Sequence, residues 1–204
     1  MADPSWDMSN LAKGWTIKDK IVAPVDLDNM NEFLQLIMNL ESRGGKDAYQ
    51  ESGDPNNRGA GLFQLETGPD QGGMTRLTRA YTHLPANLTP SAMKRHYKES
   101  TSKDRSYDVK ARLTADQQKF LMMTNIMLPK GGRAAYDKWV SSGKDEDKFL
   151  DWWLDHHWAG HKGDFKVRET KKNWAKDHLK DYRKKDDASF FFPDDGLMPG
   201  DIPV

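Results

Sequence analysis

The 204-residue chain contains no cysteine. That excludes a disulfide framework and thiolate metal sites. It holds no uninterrupted apolar run of about 18 residues, so no helical membrane span is expected. It has no surplus of one charge: 31 Lys and Arg stand against 31 Asp and Glu. A nucleic-acid-binding domain usually carries a basic excess, so no nucleic-acid partner is expected. The opening "MADPSWDMSNLAKGW" lacks a basic stretch followed by an apolar one. It does not read as a secretory signal, and the expectation is a protein made in, and soluble in, a cytosol. No strand alternation and no internal repeat stands out.

What is present points to a packed, helical globule. Hydrophobic residues make up 36% of the chain, including seven Trp, which suits a core rather than a disordered chain. Mean hydropathy is −0.88, so that core sits under a polar surface. "MNEFLQLIMNLES" places Phe33, Leu36, Ile37 and Leu40 at helical spacing. The spacing predicts a helix over 30–42, started by a capping box of Asn29 and Glu32 and ended by Gly44-Gly45. A polar loop is expected over 46–60, then a short helix from Gly61 or Leu62, then helices over 75–84 and from Thr89-Pro90. Residues 100–112 read as loop. Thr114 and Gln117 form a second capping box, leading a helix that stops before Pro129. Helices over 132–141, 146–157 and 167–184 complete the expectation, the last with Val167, Trp174, His178 and Tyr182 on one stripe. The class is mainly α, with a small β-hairpin in the 46–66 region. Three parts are expected: an N-terminal extension (1–28), the helical domain (29–185) and an acidic, aromatic tail (186–204).

The chemistry concentrates in "ESRGGKDAYQESGDPNNRGAGLFQLE". Glu41 shares a helix face with Leu34, Ile37 and Met38. Partial desolvation there raises a carboxyl pKa and favours the protonated acid, which suits a general acid. Against this stands the common case of a Glu that simply frays out at a helix C-terminus. Glycines allow backbone to approach a ligand closely, Gln64 offers an amide for sugar hydroxyl or acetamido groups, and Phe63 offers a ring face to a pyranose. Together they suggest a carbohydrate cleft.

Glu41-Ser42 at a helix end, followed by a loop and then Gly59-Ala60-Gly61-Leu62-Phe63-Gln64, resembles the lytic transglycosylases and goose-type lysozymes of the lysozyme superfamily. That family also carries a later Tyr-Asn-Ala-Gly block. Here His157-Trp158-Ala159-Gly160 stands in its place. The resemblance covers about residues 30–165. It implies a lysozyme-like α-helical domain with no cofactor, acting on peptidoglycan glycan strands. Glu41 would protonate the oxygen between N-acetylmuramic acid and N-acetylglucosamine. It would then act as base while the muramic 6-hydroxyl closes a 1,6-anhydro ring. Ser42, Gly61, Leu62, Phe63, Gln64, His157 and Trp158 would line the substrate site. A hydrolase would instead use water held by a second carboxylate, with Glu66, Glu51 and Asp54 as candidates. A chitinase-like glycosidase, or a structural protein that keeps the fold without the activity, stays open beside these.

Other constellations carry less. His157 and His161 lie four apart, but Gly160 is expected to break the helix between them and no His-Glu-x-x-His pattern occurs, so no metal site is expected. Phe149, Trp152, Trp153 and His156 read as core, or as one wall of a sugar cleft. Ser42 reads as a hydrogen bonder to Glu41 or to backbone. Basic residues crowd 168–185, whereas 186–204 holds Asp and no Lys or Arg. Without a leader, a wall-cleaving enzyme fits a bacteriophage product, carried in the virion to open the wall during genome entry or released as an endolysin. Phe190, Phe191 and Phe192 are costly to expose, so the terminal segments are expected to dock on the domain or on other virion proteins.

Overall fold

The computed structural model describes residues 6–44, 59–66, 72–101, 113–128, 132–158 and 163–183. The expectations for 46–58, 102–112, Gly45, His161 and the tail with Phe190–Phe192 lie outside these residues.

The chain enters through helix α1 (Met8–Ala12) and the antiparallel hairpin β1 (Trp15–Ile17) and β2 (Lys20–Val22). Lys18 and Asp19 both take positive φ at the hairpin turn, the geometry that matches strand twist in a two-residue connection. This segment does not stand apart as an extension. Trp6, Leu11, Trp15 and Val22 are buried in the common core, and Trp6 meets Phe120 edge-on at 5.2 Å. Arg133 donates to the carbonyls of Ala23 and Pro24, tying the segment down.

Helix α2 runs Leu27–Ser42 and starts one turn earlier than its sequence pattern suggested. Asp26 is the N-cap and accepts from the Asn29 amide; Glu32 instead pairs with Lys144. The helix ends on two left-handed residues, Arg43 (φ 50°) and Gly44 (φ 69°), with both amides turned back to the Met38 carbonyl. Strands β3 (Gly59–Ala60) and β4 (Leu65–Glu66) form the second hairpin. The residues between them make a tight turn rather than the expected helix.

The remaining elements are α3 (Gly72–His83), α4 (Ser91–Ser100), α5 (Ala115–Met127), α6 (Gly132–Ser141), α7 (Glu146–Trp152), a π-helical turn (Trp153–Trp158) and α8 (Phe165–Arg183). The Thr114–Gln117 capping box starts α5 as expected. The core gathers on α2. Phe33 is fully buried and meets Tyr136, Trp139, Phe149 and Trp152 edge-on, with centroids 4.7 to 5.2 Å apart. Helix α8 packs on α2 and α7. Its buried residues are Ala175 and Leu179, while Val167 and Trp174 are exposed. The apolar stripe expected through Val167 and Trp174 is therefore not the buried one. The helix is anchored instead by ion pairs to α7 and the π-turn: Lys172 and Lys176 with Asp147, Lys172 and Arg168 with Asp151, and Arg168 with Asp155.

Candidate functional site

Glu41 sits in the last turn of α2, where the helix dipole disfavours an anion. Three elements answer that charge. The π-turn supplies two hydrogen bonds to one oxygen: Trp153 Nε1 donates to Glu41 Oε1 at 2.6 Å, and His157 Nε2 lies 3.3 Å from the same atom. Helix α3 supplies Arg76, whose guanidinium reaches His157 Nδ1 at 2.7 Å. Helix α8 brings Lys171 close enough that the charge of Glu41 raises its pKa against the effect of burial.

The proton positions follow from donor chemistry. Arg76 can only donate, so His157 Nδ1 accepts, and the neutral ring carries its hydrogen on Nε2 toward Glu41. Burial pushes the His157 pKa down; Glu41 pulls it up, but the neighbouring Arg76 cation opposes that, and the net direction is down. Burial pushes Glu41 up, yet the His157 contact, the Trp153 hydrogen bond and the Arg76 charge outweigh it, so its pKa lies below the ordinary carboxylate value. Glu41 therefore rests ionised. This reverses the expectation that desolvation alone would leave it protonated: charge interaction with His157 and Arg76, together with the N–H donors on one oxygen, stabilises the anion more than burial penalises it. The Glu41 side chain keeps 14% exposure, and among the described residues Oε2 accepts no hydrogen bond.

The Gly61–Gln64 turn is braced from below. Ser42 Oγ lies 2.8 Å from the Leu62 carbonyl and 3.1 Å from the Met38 carbonyl and shares its one hydrogen between them. Gln118 Oε1 accepts the Leu62 amide at 2.8 Å, and its Nε2 donates to the Leu113 carbonyl. Gly61 (φ 78°) has no room for a side chain, because a Cβ there collides with Gln118 Oε1. Gln64 also takes positive φ (46°) and returns its amide group to the Gly61 carbonyl.

The structure thus sorts the residues singled out in the sequence. Glu41 and His157 come together, and the backbone of Phe63 hydrogen-bonds the His157 ring. Ser42, Leu62 and Phe63 are at most 1% exposed; they brace the turn and offer no surface to a ligand, so Phe63 is not a sugar platform. Trp158 is half-buried and stacks on Trp153, centroids 6.1 Å apart. Glu66 lies in β4, paired with Gly59; Glu51 and Asp54 lie outside the described residues. His156 is exposed rather than core.

Four contributors went unread. Trp153 reads in sequence as core or as one wall of a cleft, not as a donor to Glu41, although two consecutive tryptophans on one helix cannot face the same way. Gln118 is buried on a helix most of whose residues are buried, where a polar side chain needs a hydrogen-bonding partner. Arg76 and Lys171 carry no such mark, being ordinary cations on amphipathic helices. The π-turn, a widened helical turn common at functional sites, brings Trp153 and His157 to one oxygen while Trp152 enters the core. Compared with known proteins, the chain matches no family model, no curated protein and no solved structure.

Proposed function

We propose that the protein cleaves the glycosidic bond between N-acetylmuramic acid and N-acetylglucosamine in peptidoglycan, as a lytic transglycosylase with Glu41 as its single acid and base. The observation that supports this best is the state of Glu41: a shielded carboxylate with one oxygen held by two N–H groups and the other unpartnered among the described residues. Such a group is oriented through Oε1 and exchanges its proton through Oε2. Protonated Oε2–H would donate to the bridging oxygen as the bond to the anomeric carbon breaks. The resulting carboxylate would then take the proton of the 6-hydroxyl as that oxygen closes on the anomeric carbon.

Because the resting carboxylate is stabilised, the acid form needs either low pH or the loss of the remaining water when a sugar covers Glu41. The rate is therefore expected to rise toward acid pH. The same ionised state favours one rival, a protein that keeps the arrangement without catalysis, with Arg76, His157 and Trp153 simply neutralising a buried charge. Digestion of purified peptidoglycan by wild type and Glu41→Gln, with mass spectrometry of the products, separates the readings. Anhydromuropeptides released by wild type, and reduced roughly 10²- to 10⁴-fold in the variant, are the expected result. Reducing ends mean hydrolysis, and no release by either protein leaves the non-catalytic reading.

A further inference from the structure

Lys171 differs from every cation around it on α8. Arg168, Lys172 and Lys176 each pair with a carboxylate of α7 or the π-turn. Among the described residues Lys171 has no ion pair. Its ammonium instead lies 3.6 Å from the Trp174 ring centroid, 5.5 Å from that of Trp158 and 5.6 Å from that of Trp153. Three indole rings surround one cation and attract it through their π faces, which offsets part of the hydration it loses. Burial lowers its pKa and the charge of Glu41 acts against that, which puts the ammonium in electrostatic reach of the proposed catalytic carboxylate.

The surface beside it is unusual as well. Trp174 is 43% exposed, and it stacks on His178 and on Trp153, which also stacks on Trp158. The part of the indole that Lys171 and His178 leave exposed offers apolar surface to a sugar, and the ammonium held there selects a ring that carries an anion.

We infer that Lys171, Trp174 and Trp158 form a subsite next to Glu41 for a saccharide ring bearing a carboxylate. It rests on the reading of Glu41 as the cleaving residue, since it is that reading which makes the ligand a cell-wall glycan. The carboxylate is either the lactyl group of a peptide-free muramic acid or an acid on its stem peptide. A neutral chito-oligosaccharide offers the same ring faces without the anion.

The test is binding to the Glu41→Gln protein, which keeps ligands intact, followed by tryptophan fluorescence. Three oligosaccharides of equal length serve as probes: a peptide-free N-acetylglucosamine–N-acetylmuramic acid oligomer, the same oligomer with stem peptides, and a chito-oligosaccharide. Adding Lys171→Met is expected to lower affinity for the anionic probe about tenfold, the scale of one charge-assisted hydrogen bond, and to leave the neutral probe unchanged. Adding Trp174→Ala is expected to weaken all three. Whichever anionic probe shows the preference identifies the source of the carboxylate. Matching circular dichroism confirms that the variants fold. Equal affinity for anionic and neutral probes, no effect of Lys171→Met, or no binding to any probe overturns the subsite. Peptidoglycan digestion by the Glu41-intact protein is read separately. Binding selectivity without cleavage overturns only the catalytic reading, and cleavage without selectivity overturns only the subsite.

Discussion

Trp152 and Trp153 are neighbours in sequence, each 1% exposed, yet they belong to different regions. Trp152 points into the aromatic core, its ring 4.7 Å from Phe33, and its indole N–H has no partner among the described residues. Trp153 points to the end of α2, and its N–H holds Glu41. The first region is stabilised by apolar area and edge-to-face ring contacts, and it tolerates an unmet polar atom. The second is organised by polar satisfaction: each group there is placed by the need to answer one buried carboxylate. The same residue type is thus a filler in one place and a donor in the other, and the π-turn between them sets which is which.

The comparison breaks most visibly at Phe33. Phe33→Ala removes the ring on which four others converge, and a loss of about 3–5 kcal/mol in unfolding free energy is expected from denaturant titration. If the loss is under about 1 kcal/mol, the core is not centred there. Next comes Trp153→Phe, which keeps most of the ring but removes the hydrogen bond to a charged acceptor. It should cost about 1.5–3 kcal/mol and raise the Glu41 pKa, read by carboxyl NMR.

The pH dependence sharpens the polar side. His157 has a folded pKa below 6.5, so an unfolded chain takes up a proton there first, and stability is expected to decline as pH falls below that value. Glu41 has a folded pKa below 4.5. Its contribution is present above 4.5 and lost as pH falls through the lowered folded value. Arg76, Trp153 and Lys171 face this pair from α3, the π-turn and α8. Denaturant midpoints measured across acid pH should fall in two stages, with the lower stage smaller in Glu41→Gln; the remainder comes from Asp147 and Asp151, whose ion pairs also hold their pKa values down. The smallest effect is expected from Trp152→Phe. It makes the same chemical change as Trp153→Phe but removes an N–H that was already unpartnered, so stability should stay within about 1 kcal/mol of wild type. Equal costs at 152 and 153 would erase the distinction between the two regions.

Legibility follows the range of the forces involved. The Thr114–Gln117 box and the α2 apolar face are local, and both appear as the sequence implies. A hairpin was expected in the 46–66 region and one forms at 59–66, but its turn read in sequence as the start of a helix. The 15–22 hairpin was not, because three-residue strands are too short for alternation to register and Lys18-Asp19 is not a glycine turn. The α2 start moved back because Asp26, not Asn29, caps it. On α8, periodicity alone chose the wrong stripe, because Trp174 beside Lys171 looks apolar in sequence and stands exposed in the fold.

By itself the sequence determined the helical class, the absence of any cysteine chemistry and the acid at the end of α2, since composition, capping and 3.6-residue spacing act within a few positions. The tertiary structure alone decided that Glu41 rests as an anion. That depends on Trp153, His157 and Arg76, which lie 35 to 116 positions away along the chain and meet only when α3 and the π-turn close on α2. A carboxyl pKa is a sum over neighbours in space, and no local pattern carries that sum.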